Sequence, residues 1–353
     1  MMNKKQFSGV RISAVAAVTP EKRLPLMEFS DRFGEKEIER IMAATGIQEV
    51  TVADESMTSS DYAYEAALHL LRETGTDISS VDGLLFLTES PDYIIPNTAA
   101  VLQDRLGMRT DTINMDLRYG CAGYVYGLFQ ASLLVSSGCC EKLLFLAGDT
   151  VSRYINSSDR SLRMVNGDAA CATLIERTEE PVSSLFRFFV DGSGKNSLYI
   201  PAGGCRTPHK AGVTDVIAYD EDGNGRTQED LYMNGMDIVL FAIRRIPGLI
   251  TGILEDAGWT REETDLFALH QANKLILDKM ARTLKIPAEK VPICLRHTGN
   301  CGFDSIPLML CTMFPGVNPS FRKVVACGFG AGLIAASAAL DLSKTTFLET
   351  FSV

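Results

Sequence analysis

The chain repeats itself, and that constrains its fold more than any figure of composition. Leu71-x3-Gly75-x6-Asp82-x-Leu84 recurs at a shift of 183 as Leu254-x3-Gly258-x6-Asp265-x-Phe267. Further on, Leu117-Arg118 recurs as Leu295-Arg296, and at a shift of 179 Gly120-Cys121 falls on Gly299-Asn300. A duplicated chain folds the same unit twice, so equivalent strand ends meet about a pseudo-two-fold axis. Residues far apart in sequence, here Cys121, His270 and Asn300, can then share one pocket.

The 353 residues, 46% hydrophobic and 22% charged, suffice for one large or two moderate cores. The expectation is one α/β body of two halves, residues 1–178 and 179–353, with the seam in the acidic and hydroxyl-rich stretch 176–184 around Pro181. Nine cysteines without paired spacing indicate free thiols in a reducing, cytoplasmic compartment. Lys4-Lys5 precedes an apolar run, but Arg11 interrupts it, which favours a first strand over a secretory signal. The uncharged stretch Val324 to Leu340 approaches membrane-span length. Gly328, Gly330 and Gly332 punctuate it, so it reads as two buried strands and a turn, with no membrane span. A net charge of −10 argues against nucleic acid as a partner.

Periodicity alternates between helix and strand. Ala63, Ala66, Ala67, Leu70 and Leu71 share a helical face, and Gly83-Leu84-Leu85-Phe86-Leu87 is an apolar run suited to the middle of a sheet. Ile113 to Leu117, the apolar stretch 122–135 and Lys142 to Gly148 read as strand, helix, strand. Residues 203–230, rich in Gly, Asp, Lys and Thr, read as an exposed loop.

Cys121 follows an apolar strand and a glycine and opens the next helix. Uncapped N–H groups and the helix dipole there would hold a thiolate and lower the thiol pKa. Cys139, Cys140, Cys171, Cys294, Cys311 and Cys327 read as small apolar fillers, and Cys301 as pointing away from the site. His270 ends the run 265–269 where its counterpart at a shift of 183 is Leu87, a specialised exchange. His297 is the rival imidazole; His69 and His209 read as solvent-facing. No His and Cys spacing suggests a metal.

These residues resemble the β-ketoacyl-acyl carrier protein synthase III enzymes of the thiolase superfamily. The resemblance is carried by Asp116-x4-Cys121-Ala122-Gly123-Tyr124, Asn166-Gly167-Asp168-Ala169-Ala170 and His270-Gln271-Ala272-Asn273, and by Gly299-Asn300-x4-Ser305-Ile306-Pro307-Leu308 and the terminal Gly328-Phe329-Gly330-Ala331-Gly332-Leu333. It implies a duplicated five-layer αβαβα fold, a homodimer and a Cys121-His270-Asn300 triad. The backbone N–H groups of Cys121 and Ala331 would form the oxyanion hole. Asn273, Arg160 and, around Thr45-Gly46-Ile47, Arg40 would help hold the pantetheine carrier. Ala44 offers neither charge nor plane to a nucleotide, so carrier-bound donors should outdo acyl-CoA.

The implied reaction is a decarboxylating condensation of an acyl thioester with malonyl-acyl carrier protein. It needs no cofactor beyond coenzyme A or phosphopantetheine as carriers. Two alternatives stay open: an acyltransferase moving the acyl group to oxygen or nitrogen, which would not need Asn300, and a non-catalytic partner subunit, which would not need an intact triad. Residues 273–285 read as a helix with Leu277, Met280, Ala281 and Leu284 on its buried side. Lys274, Arg282 and Lys285 form a cationic face suited to docking an acidic carrier protein.

Overall fold

Two sheets stacked face to face organise the chain, in a computed structural model that describes residues 5–353. Lys4 of the Lys4-Lys5 pair lies outside the described residues. The strands that matter are β1 (Lys5–Ser8), β2 (Val10–Thr19), β3 (Gly83–Leu87), β4 (Ile113–Leu117), β5 (Lys142–Asp149) and β6 (Ala169–Arg177). They continue with β7 (Ser183–Val190), β8 (Leu266–Leu269), β9 (Gly316–Val317), β10 (Val324–Gly330), β11 (Ile334–Leu340), β12 (Thr346–Phe347) and β13 (Phe351–Ser352). The main helices are α1 (Glu35–Thr45), α2 (Ser59–Thr74), α3 (Thr98–Arg105), α4 (Gly123–Ser136), α5 (Gly235–Ala257), α6 (Lys274–Leu284) and α7 (Ser305–Met313).

The first sheet runs β9-β12-β2-β6-β5-β3-β4, with β13 also on β2; the second runs β1-β7-β11-β10-β8. The duplication is visible in the pairing. Both β2-β6-β5-β3 and β7-β11-β10-β8 pair antiparallel, antiparallel, then parallel. Among the described residues, no strand pairs with β8 on its far side as β4 does with β3. The chain ends are exchanged between halves, since β12 and β13 join the first sheet and β1 the second.

Three apolar cores account for five layers. Helices α2 and α3 cover the outer face of the first sheet through Ala63, Ala67, Leu70 and Leu102; α5 and α6 cover the second through Ile246, Ile250, Leu277 and Met280. Helices α4 and α7 lie between the sheets. Consistent with that place, α4 has apolar residues on nearly every side, as a helix packed on both faces must. The stretch read as two strands and a turn is the buried hairpin β10–β11. Among the described residues, no helix is long and apolar enough to cross a membrane.

Candidate active site

The strand ends of both halves open on a cavity of about 370 Å³. Cys121, His270, Asn300, Asn273 and Ala331 all line it, so the fold brings together five residues that the sequence places up to 210 positions apart.

Cys121 sits between β4 and α4, in a tight turn closed by the Gly123 N–H donating to the Gly120 carbonyl at 2.7 Å. β10 passes so close that only glycine fits beside it. A Cβ on Gly330 would lie 3.0 Å from Cys121 Cβ and 3.1 Å from Sγ, and one on Gly328 would lie 2.6 Å from the Cys121 carbonyl. The expected lowered thiol pKa is overturned. The helix begins at Gly123 with Ala122 as its cap, and burial, then the charges of Glu89 and Asp149, push the Cys121 thiol up to about 12. At rest, the sulfur keeps its proton.

His270 follows the last residue of β8 and its N–H donates to the Cys327 carbonyl at 2.8 Å, extending the β8–β10 ladder. It is only 2% exposed, and burial lowers its pKa to about 4, opposed by a backbone contact with Gly302. The imidazole is therefore neutral. Its Nδ1 lies 2.8 Å from Ser305 Oγ, which already accepts the Gln271 N–H at 3.1 Å. The serine hydroxyl is thus free to donate to Nδ1, and that tautomer puts the ring proton on Nε2. Asn300 is oriented by a similar device. Its Oδ1 accepts the Gly302 N–H at 3.0 Å, its N–H donates to the Val165 carbonyl and its carbonyl accepts from Gly167. The amide NH2 is the group left to donate.

The other motif residues sort into scaffold and surface. Asp168 is buried and takes bonds from the Ala53 N–H, the Ser152 N–H and the Ser152 hydroxyl, which pins the strand ends rather than meeting substrate. Asp116 accepts the Thr98 and Ala99 N–H groups and so caps α3. His297 is exposed beside Glu49 and His209 beside Glu229, so neither competes with His270. His69, expected to face solvent, is half-buried: its ring packs on Phe351 with centroids 4.7 Å apart, while its Nδ1 meets Arg72 at the surface. Of the cysteines read as fillers, Cys140, Cys171, Cys311 and Cys327 are buried, while Cys139 is exposed and Cys294 half-buried. Cys301 is buried with Sγ against the Thr298 carbonyl.

The carrier residues are less compact than the triad. Asn273 caps α6 through an Oδ1 that accepts the Ile276 N–H at 2.8 Å, and it lines the cavity. Arg40 is 83% exposed on α1 beside Glu37, and neither it nor Arg160 lines the cavity. Helix α6 starts one residue after Asn273 and ends before Lys285, which adopts φ 55° beyond it. Lys274, Arg282 and Lys285 are exposed as expected, but Asp278 tempers the face by pairing with Lys274 and accepting Arg282 Nε at its carbonyl.

Sequence reasoning missed the acidic end of the cavity. Glu89, Arg118, Asp149 and Tyr154 line it near the thiol. A signal was available, because Glu89 stands two residues past the apolar run of β3, at the strand end where α/β sheets bind ligands.

A duplicated five-layer body that gathers a thiol, a neutral imidazole and an oriented amide at the meeting of its halves is that of the thiolase-fold condensing enzymes. Residues 115–194 match the family described as "3-Oxoacyl-[acyl-carrier-protein (ACP)] synthase III" and residues 254–342 its C-terminal counterpart. The β-ketoacyl-[acyl-carrier-protein] synthase III of Streptococcus equi subsp. equi is 32% identical over 92% of this chain and 96% of its own. Among solved structures, a 3-oxoacyl-(acyl-carrier protein) synthase from Burkholderia xenovorans is 30% identical, with a TM-score of 0.92 over 99% of both chains. A 3-oxoacyl-(acyl-carrier-protein) synthase III is 35% identical, with a TM-score of 0.88 over 94% of this chain and 99% of that one. The chain belongs to the 3-oxoacyl-[acyl-carrier-protein] synthase III family.

Proposed function

We propose that the protein condenses an acyl thioester with malonyl-acyl carrier protein, losing carbon dioxide and giving a β-ketoacyl thioester through an acyl-Cys121 intermediate. The observation that carries this reading is the pair of neutral donors, His270 and Asn300, in one cavity with Cys121.

In the first half-reaction Cys121 Sγ attacks the acyl carbonyl and the carrier leaves as its thiol. The Cys121 and Ala331 N–H groups are the oxyanion donors in this reading, and both residues line the cavity. In the second, the malonyl carboxylate leaves as carbon dioxide and charge moves to the thioester oxygen. That oxygen needs hydrogen-bond donors and no base, which suits an Nε2–H and an amide NH2 that cannot readily lose or gain a proton near neutrality. The enolate carbon then attacks the acyl-Cys121 carbonyl, and the C–S bond to Cys121 breaks.

The reaction needs no cofactor beyond the pantetheine arms of the substrates. Asn273, at the cavity edge, suits an arm's amides, with Lys274, Arg282 and Lys285 beyond it for the carrier protein. A homodimer belongs to the same proposal. Edge strand β4 leaves Ile113, Met115 and Leu117 half-buried, and Ile94 and Ile95 are 98% and 85% exposed, an apolar surface that a second copy would cover.

The test is intact-mass analysis after incubation with a panel of acyl thioesters, followed by malonyl-acyl carrier protein and product identification. Wild type should gain one acyl group and then release a β-ketoacyl thioester with carbon dioxide, while Cys121→Ala should gain none. An adduct of similar yield on Cys121→Ala, or acyl transfer without carbon dioxide release, would defeat the proposal.

A further inference from the structure

The thiol at the centre of this site lacks an evident way to lose its proton. Half-buried and beside carboxyls it is a poor acid, and the neutral His270 is a poor acceptor, since Nδ1 faces the Ser305 hydroxyl and burial disfavours the imidazolium. Beside it stands a carboxyl that the condensation as described does not use. Glu89 Oε2 lies against Gly120, the residue before the thiol, where a Cβ would be 3.4 Å from that oxygen and 3.3 Å from Ala331 Cβ. Glu89 thus lies against the residue before the nucleophile and shares the cavity with Cys121 and Ala331.

The geometry points to Glu89 as the proton acceptor for the Cys121 thiol during acyl loading. This rests on the reading of Cys121 as the acylated residue. As the S–C bond forms at the thioester carbonyl, the S–H bond breaks and its proton passes to a Glu89 carboxylate oxygen. When the tetrahedral intermediate collapses, the C–S bond to the carrier breaks and the same proton neutralises the departing thiolate. Nothing is oxidised or reduced.

Two features fit the role. A fixed anion beside Ala331 would oppose the oxyanion it must stabilise; protonation of Glu89 in the same step removes that opposition, so the negative charge moves and does not accumulate. Arg118, Asp149, Cys121 and Tyr154 line the cavity with this carboxyl. Burial raises its pKa and Arg118, whose Nη2 donates to the Glu89 carbonyl at 3.4 Å, opposes the rise. Asp149 takes the Ser90 hydroxyl on Oδ1 and is pushed up to about 8 by burial and by Glu89, so the two carboxyls compete for one proton, while Arg118 favours the charged form of Glu89. Cys121 and Tyr154 are both raised in part by Glu89.

The test is the rate of acyl loading onto Cys121, followed by rapid quench and intact mass across pH, in wild type, Glu89→Gln and Glu89→Asp. Glu89→Gln should load about 10² to 10³ more slowly, the scale of a lost general base, and lose the acidic limb of the wild-type profile. Glu89→Asp should restore part of the rate. Carbon dioxide release from malonyl-acyl carrier protein, which depends on His270 and Asn300, should fall far less than loading does. Loading by Glu89→Gln with the wild-type rate and profile would overturn the inference, as would an equal fall in loading and decarboxylation, which marks a merely structural role. Should Glu89→Gln not fold, the wild-type profile decides: a plateau through neutral pH supports Glu89, and a rate climbing steadily toward pH 10 overturns it. Absence of any adduct on wild-type Cys121 would instead strike the proposed function itself.

Discussion

The two halves share a strand order and end in opposite chemistry. In the first, β3 runs out toward Glu89 and β5 closes on Asp149; in the second, β8 runs out into His270 and β10 closes on Gly330. Burial acts on both ends and favours the neutral form of each group. It raises the carboxyls, leaving Asp149 protonated, and lowers the imidazole, leaving His270 an uncharged donor. The fold supplies two equivalent ledges around one cavity, and the residue on each decides whether that ledge moves protons or only donates hydrogen bonds. On the proposed chemistry, the first half loads the acyl group and the second stabilises the enolate.

The largest test of that division removes the second half's donors. His270→Ala and Asn300→Ala should each slow carbon dioxide release from malonyl-acyl carrier protein by about 10² to 10³, the scale of one lost oxyanion donor. Acyl loading on Cys121 should stay within a few-fold of wild type. Equal loss of both steps would dissolve the contrast between the halves.

A smaller effect separates the halves by pH. Asp149 has a folded pKa of about 8 against an ordinary 3.8, so between those values the folded state holds the extra proton and stability from this group falls as pH rises. His270 runs the other way: with a folded pKa of about 4 against an ordinary 6.5, stability from this group is full above 6.5 and falls as pH drops through that window. Asp149→Asn keeps an oxygen for the Ser90 hydroxyl and removes only the first slope. Urea midpoints at pH 5.5 and 8.5 should show the variant gaining on wild type at the higher pH by about 1 kcal/mol or more. A gain independent of pH would show that Asp149 is not held protonated.

What the sequence disclosed followed from repetition. The offset that sets Leu87 against His270 marked a strand end that had changed character, and β3 and β8 occupy matching places in their sheets. Gly328 and Gly330 were legible as punctuation but not as the reason the thiol fits, because that depends on β10 crossing against residues two hundred positions earlier. The thiol's acidity was misread for a related reason. Helix-end reasoning is local, whereas the groups that raise Cys121 come from just past β3 and from the end of β5. Arg40 was placed by its distance from Thr45-Gly46-Ile47, yet α1 turns it to solvent, a matter of helical phase that spacing from a motif does not set.

The smallest expected effect concerns how the carrier reaches this asymmetric site. α6 leaves the His270 end of the second half, buries Ile276, Leu277, Met280, Ala281 and Leu284, and turns Arg282 and Lys285 outward. Exposed charges of this kind steer an acidic partner and add little to folding. Asp278 already offsets Lys274, so the double change Arg282→Glu and Lys285→Glu, which leaves that pair intact, is the cleaner probe. It should raise KM for malonyl-acyl carrier protein a few-fold at low salt, with the difference shrinking as ionic strength rises. KM for malonyl-pantetheine should not change, because that substrate has no protein surface to dock. If both substrates weakened alike, the cationic face would act on the cavity and not on the carrier. If neither changed, the carrier would approach from the first half, and Asn273 would be an edge of the cavity rather than the start of its docking path.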